Sequence, residues 1–124
     1  MQPNDVIAAV GRMPREFKRR QDVSMLALLK ESGYLGSPSE VTTAALQAHF
    51  VTHGEDLEGW VSNSHDNRSS PAWYVAEPSG LSTKWEVGRH PGGQREYFES
   101  GAAACAVYVK RWLEYASSIT EHAP

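Results

Sequence analysis

The side chains able to do chemistry in this 124-residue chain fall into four groups. In the first, His49 and His53 stand one helical turn apart, with Glu55, Asp56, His65 and Asp66 close behind in sequence. Two imidazoles at that spacing can share a zinc ion. No glutamate follows the first histidine, however, and no cysteine joins the set. Both histidines flank Phe50 on an apolar row, so packing is expected of them, with no metal and no cofactor. The crowding of Glu55, Asp56 and Glu58 matches the first turn of a helix, where the dipole favours negative charge. The second group is Cys105 alone. A nucleophilic thiol needs a helix N-terminus or a basic neighbour to lower its pKa, and access to substrate. Cys105 sits among alanines on a helical apolar stripe, which is core composition. With no Gly-x-Ser-x-Gly elbow, no phosphate-binding glycine loop and no recognisable acid/base pair of carboxylates, the chain is expected not to be an enzyme.

The third group is basic. Arg12, Arg15, Lys18, Arg19 and Arg20 stand against Glu16 alone, within a chain of net charge −3. That run could contact phosphates, and a nucleic-acid-associated or regulatory role built on it is the alternative reading of the chain. The overall charge excludes a molecule that binds nucleic acid by its whole surface. Strands aimed at phosphates should also carry several outward cations. Here Lys84 alternates with Glu86, and Arg95 with Glu96. The fourth group is Asp66, Arg68, Ser69 and Ser70, a polar segment that runs through Pro71 directly into Trp73 and Tyr74.

The elements that must position these groups follow from periodicity and turn signals. Asn4 or Asp5 can cap a short first helix with Val6, Ile7 and Val10 on its apolar side, stopped by Gly11 and Pro14. Asp22 or Ser24 caps a second helix, closed at Gly33 by a left-handed cap. Ser37-Pro38-Ser39-Glu40 has the pattern of a capping box with a proline start and predicts a helix from there to about Thr52. A fourth helix is predicted from Glu55 to about His65, burying Leu57, Trp60 and Val61. Alternation then places Trp73 with Val75 and Trp85 with Val87, with Tyr74 and Glu86 on the opposite face. Pro91-Gly92 reads as a turn, and a short third strand over 94–98 could turn either Tyr97 or Phe98 inward. Ser100 can cap a last helix whose stripe is Ala102, Cys105, Ala106, Val109, Trp112, Leu113 and Ala116.

The chain is therefore expected to be one α+β domain over 1–124, mainly helical over 1–66, with a βββα unit over 70–116. N-terminal helices precede a three-stranded antiparallel meander, and the C-terminal helix packs on the sheet. No apolar run approaches the ~20 residues of a membrane span. The opening residues lack the basic-then-apolar order of a secretory signal, and a cytoplasmic location is expected.

The pattern Ser64-x-Asp66-x-Arg68-x-Ser70-x-x-Trp73-Tyr74, followed by Trp85-x-Val87, Phe98 and Ala104-Cys105-Ala106, resembles small, mostly uncharacterised bacterial proteins. Some of these sit in toxin–immunity settings. The resemblance covers about residues 60–112 and implies a non-enzymatic protein-interaction module of immunity or antitoxin type, with a toxin domain as partner. The expected partner surface is Asp66, Arg68, Tyr74, Glu86, Arg89 and Arg95, taken as the connector plus the sheet face turned away from the last helix.

Overall fold

The computed structural model describes residues 3–65, 73–89 and 93–122. It is an α+β structure: helices α1 (Pro3–Arg20), α2 (Met25–Ser32), α3 (Thr43–Thr52) and α4 (Gly54–Ser64), strands β1 (Trp73–Ala76), β2 (Trp85–Arg89) and β3 (Arg95–Phe98), and helix α5 (Gly101–His122). The sheet is an antiparallel meander in the order β1-β2-β3. Asp66 and Arg68 lie outside the described residues.

Helix α5 is the wall shared by two layers. It contacts all three strands and also α2, α3 and α4. Its buried residues are therefore more than a stripe, with Ala104 and Tyr108 joining the predicted Ala102, Cys105, Ala106, Val109, Trp112, Leu113 and Ala116. Ser100 opens it by accepting from the Ala103 N–H at 3.1 Å. Val109 and Trp112 are buried, whereas Trp73, Trp85 and Phe98 are half-buried and pack against the core from the sheet side. Trp112 meets Trp60 of α4 edge-to-face with ring centroids 5.2 Å apart. Ser24 caps α2 through the Ala27 N–H, and Gly33 closes it at φ 88°, a conformation costly for any residue with a Cβ.

Two predicted boundaries are corrected. Gly11 and Pro14 do not stop the first helix, which continues to Arg20. Proline removes the N–H that would bond the carbonyl of Val10, four residues earlier. That carbonyl instead accepts the indole N–H of Trp60 at 3.1 Å. Gly11 lies under the His49 ring, so close that a Cβ there would stand 2.4 Å from Nε2. The two helix breakers are thus the contact points at which α3 and α4 dock on α1.

The second correction concerns Ser37-Pro38-Ser39-Glu40. Pro38–Glu40 forms only a 3-10 turn, Ser37 makes no capping bond, and α3 is opened by Thr42, which accepts from the Ala45 N–H. The Pro38 carbonyl is taken by the Val41 N–H at 3.2 Å and by Lys110 Nζ of α5 at 3.0 Å. The break at Val41 turns that side chain fully inward. Burial and a tertiary lysine contact outweigh a capping signal worth about 1 kcal/mol.

Gly11→Ala tests the packing account against helix propensity. Propensity alone favours alanine by about 1 kcal/mol. The His49 ring is held in place by Asp56, so overpacking is expected to win, with a net loss of about 1–3 kcal/mol in chemical denaturation. A stabilised variant would show that the α1–α3 contact yields freely.

Candidate interaction surface

Strand register decides which side chains meet. Tyr74 pairs with Gly88 and Ala76 with Glu86 across β1 and β2, while Glu86 pairs with Tyr97 and Gly88 with Arg95 across β2 and β3. Directly opposed residues in an antiparallel pair share a face. Tyr74, Glu86, Arg95 and Tyr97 therefore stand together on the face turned away from α5. Among the described residues no helix lies across this face.

The group is internally bonded. The Tyr74 hydroxyl donates to Glu86 Oε2, and Arg95 Nε lies 4.0 Å from the same oxygen. Tyr74 reaches Glu86 by lying down over Gly88, where a Cβ would stand 2.4 Å from the phenolic oxygen. Burial first, and then the Glu86 carboxylate, raise the Tyr74 pKa above the ordinary phenol value. The nearby Tyr97 hydroxyl, then the charge of Glu86, raise the Arg95 pKa. Tyr97 itself is 55% exposed. The sequence left open whether it or Phe98 faced inward. The register answers this, because Phe98 opposes Trp85 on the α5 face.

Arg89 is placed otherwise than expected. It opposes Trp73 across the β1–β2 ladder and so belongs to the α5 face. Its guanidinium lies 5.8 Å from the Trp73 ring centroid, and that of Arg111 lies 4.8 Å from it. Strict alternation from Trp85 and Val87 already carries Arg89 to that side. Arg111 in turn donates to Glu96, tying α5 to β3. Of the six expected surface residues, the structure brings together Tyr74, Glu86 and Arg95.

The remaining groups have structural partners. Asp56 is 1% exposed and accepts from Arg15 Nη1 at 2.9 Å and from His49 Nε2 at 2.7 Å. It stands in the first turn of α4, as the dipole argument expected, but its burial makes it a three-helix tie between α1, α3 and α4. The rings of His49 and His53 stack at 4.2 Å. Among the described residues no cluster of three or more His, Cys, Asp and Glu side chains is arranged to hold a metal. In the basic run, Arg19 pairs with Glu16 at 2.5 Å and Arg20 with Glu31 at 2.9 Å, while Arg12 and Lys18 are exposed. Cys105 is fully buried, and burial pushes its thiol pKa well up. No helix among the described residues is long and apolar enough to cross a membrane.

The Tyr74 environment has a direct optical signature. A phenol with a raised folded-state pKa contributes stability that is present below the ordinary tyrosine pKa and lost as the pH rises through the folded value. Ultraviolet titration of the chain against Tyr74→Phe should give a difference curve for Tyr74 that ionises later than the ordinary range near pH 10. Glu86→Gln should move it only part of the way back, because burial is the larger cause. A difference curve that ionises in the ordinary range would contradict the raised Tyr74 pKa.

Compared with known protein families, curated proteins and solved structures, the chain matches none.

Proposed function

We infer that the chain is a non-catalytic protein-interaction module that receives a partner protein on the outer face of its sheet. The observation that carries this reading is the linked group Tyr74–Glu86–Arg95, with the exposed Tyr97 opposite Glu86, on a face that no described helix covers. Tyrosine and arginine supply much of the binding energy at well-packed interfaces, because each combines a large contact area with directed hydrogen bonds. The Tyr74–Glu86 hydrogen bond holds those two rotamers, which lowers the entropy lost on docking. Mixed charge suits a protein surface of mixed polarity better than a polyanion. What weighs against a phosphate-binding role for α1 is that Arg15, Arg19 and Arg20 already carry acidic partners. In its finer form the reading is a bacterial immunity or antitoxin-type protein acting in the cytoplasm, whose partner is a toxin domain. Asp66 and Arg68, outside the described residues, remain part of the proposed partner surface on sequence grounds.

Tyr97→Ala tests the reading more cleanly than Tyr74→Ala, since Tyr97 stands further into solvent. The variant should keep its melting temperature within a few degrees, as exposed substitutions usually do. Capture of the protein partner that co-purifies with the unmodified chain should fall at least tenfold. Undiminished capture would remove the outer face from the interface. Micromolar DNA or RNA binding at ~150 mM salt, lost on reversing Arg12 and Lys18, would favour the alternative.

A further inference from the structure

The two edges of the sheet are treated differently. On β1, the Val75 N–H donates to Ser64 Oγ at 2.8 Å, and the Ser64 hydroxyl donates to the Val75 carbonyl at 3.0 Å. One serine of α4 thus occupies both outward-pointing backbone groups and plugs that edge, as sheet edges commonly are blocked. The same bonds fix the ladder phase. In an antiparallel pair the N–H and C=O of one residue point to the same side, and successive residues alternate. Val75 points away from β2, so its opposite residue Val87 points toward β3 and bonds Glu96. Arg95 and Tyr97 therefore direct their N–H and C=O groups away from the sheet. Among the described residues nothing plugs this second edge, and β3 carries neither proline nor lysine, two common guards of an exposed strand.

We propose that the β3 edge pairs with β3 of a second copy of this chain, antiparallel about a two-fold axis at Tyr97, making a six-stranded sheet. The occupant follows from charge complementarity. Centring the axis on Tyr97 sets Arg95 opposite Glu99 of the second copy, twice by symmetry. Glu99 is the residue directly after β3; alternation carried one position past Phe98 sets it on the Arg95 face, and its side chain pairs with Lys84 at 2.9 Å beside the Trp85↔Phe98 pair that ends the ladder. Glu99 is 82% exposed at its side chain and Arg95 62%, so both are accessible to the second copy. On the inner face the same register sets Glu96, already bound by Arg111, opposite Phe98 rather than opposite another Glu96. Centring on Glu96 would bring two carboxylates face to face, which disfavours that register. The outer faces of the two copies would then join into one surface. The pairing stands on its own geometry and does not depend on the docking of another protein.

Sedimentation analysis of the full chain between about 1 and 300 μM should show a reversible monomer–dimer equilibrium in the affinity range of a small, edge-limited interface. Tyr97→Pro removes an N–H from the free edge and none from the β2–β3 ladder. It should give a monomer with unchanged far-ultraviolet circular dichroism. Arg95→Glu should raise the dimer dissociation constant at least tenfold, and Arg95→Glu with Glu99→Arg should restore it. That rescue reads the contact between copies alone. Within one chain the double reversal brings like charges together, a carboxylate at position 95 near Glu86 and a guanidinium at position 99 near Lys84. A monomer throughout the concentration range would overturn the proposal. So would a dimer indifferent to the charge reversals, which would place the contact on another surface, or an edge that binds an added extended peptide but not its own copy.

Discussion

The structure depends on one hydrogen bond across its helical half. The Trp60 indole N–H reaches the Val10 carbonyl, a group left without its helical partner because residue 14 is proline. A proline inside a helix costs about 3 kcal/mol, and an unsatisfied buried carbonyl a further 1–3 kcal/mol. The indole meets the second of these costs from a neighbouring helix, so α1 can run past its breaker only where α4 lies alongside. Trp60 is fully buried, and its ring also packs edge-on against Tyr108 and Trp112 of α5. One side chain therefore fixes α1, α4 and α5 relative to each other. Asp56, one turn earlier on α4, repeats the arrangement in charged form through Arg15 and His49.

The position of the sheet follows from this. With α4 held on α1 and α5, Ser64 at its end meets Val75 of β1 and Asn63 donates to Tyr108 of α5 at 3.2 Å. The β1 edge is closed by the same helix that carries Trp60. With α5 packed on the inner face of the strands and α4 closing the β1 edge, the described helices leave the other face uncovered. The outer face is left to Tyr74, Glu86, Arg95 and Tyr97, and the β3 edge is left open. The surface available for binding is a consequence of how the helices were forced to stack.

Fold class was legible in the sequence because alternation at 73–76 and 85–89, and the broad stripe of α5, are strong local signals. Cys105 was legible as core for the same reason. Features set by contacts distant in sequence were not. Gly11 and Pro14 read as stops because nothing local announces that Trp60 will replace a missing N–H or that His49 needs the space of a Cβ. Ser37 read as a cap because the lysine that competes for the Pro38 carbonyl lies on α5. Asp56 read as dipole electrostatics, with no local sign that two helices would bring it Arg15 and His49. At the surface, Tyr74 and Glu86 followed from alternation, whereas Tyr97 awaited the strand register, and Arg89 was misassigned against an alternation that already placed it with Trp85.

A double-mutant cycle of Pro14→Ala and Trp60→Phe measures this dependence most directly. Both branches lose the same ring volume at position 60, so cavity costs cancel and the cycle isolates the carbonyl. With proline at 14, Trp60→Phe leaves the Val10 carbonyl without a donor. With alanine at 14, the restored N–H takes it. The loss on Trp60→Phe should therefore be smaller in the alanine background by about 1 kcal/mol or more. Losses equal within about 0.3 kcal/mol would mean the two residues act independently, and would contradict the role assigned to the Trp60–Val10 bond.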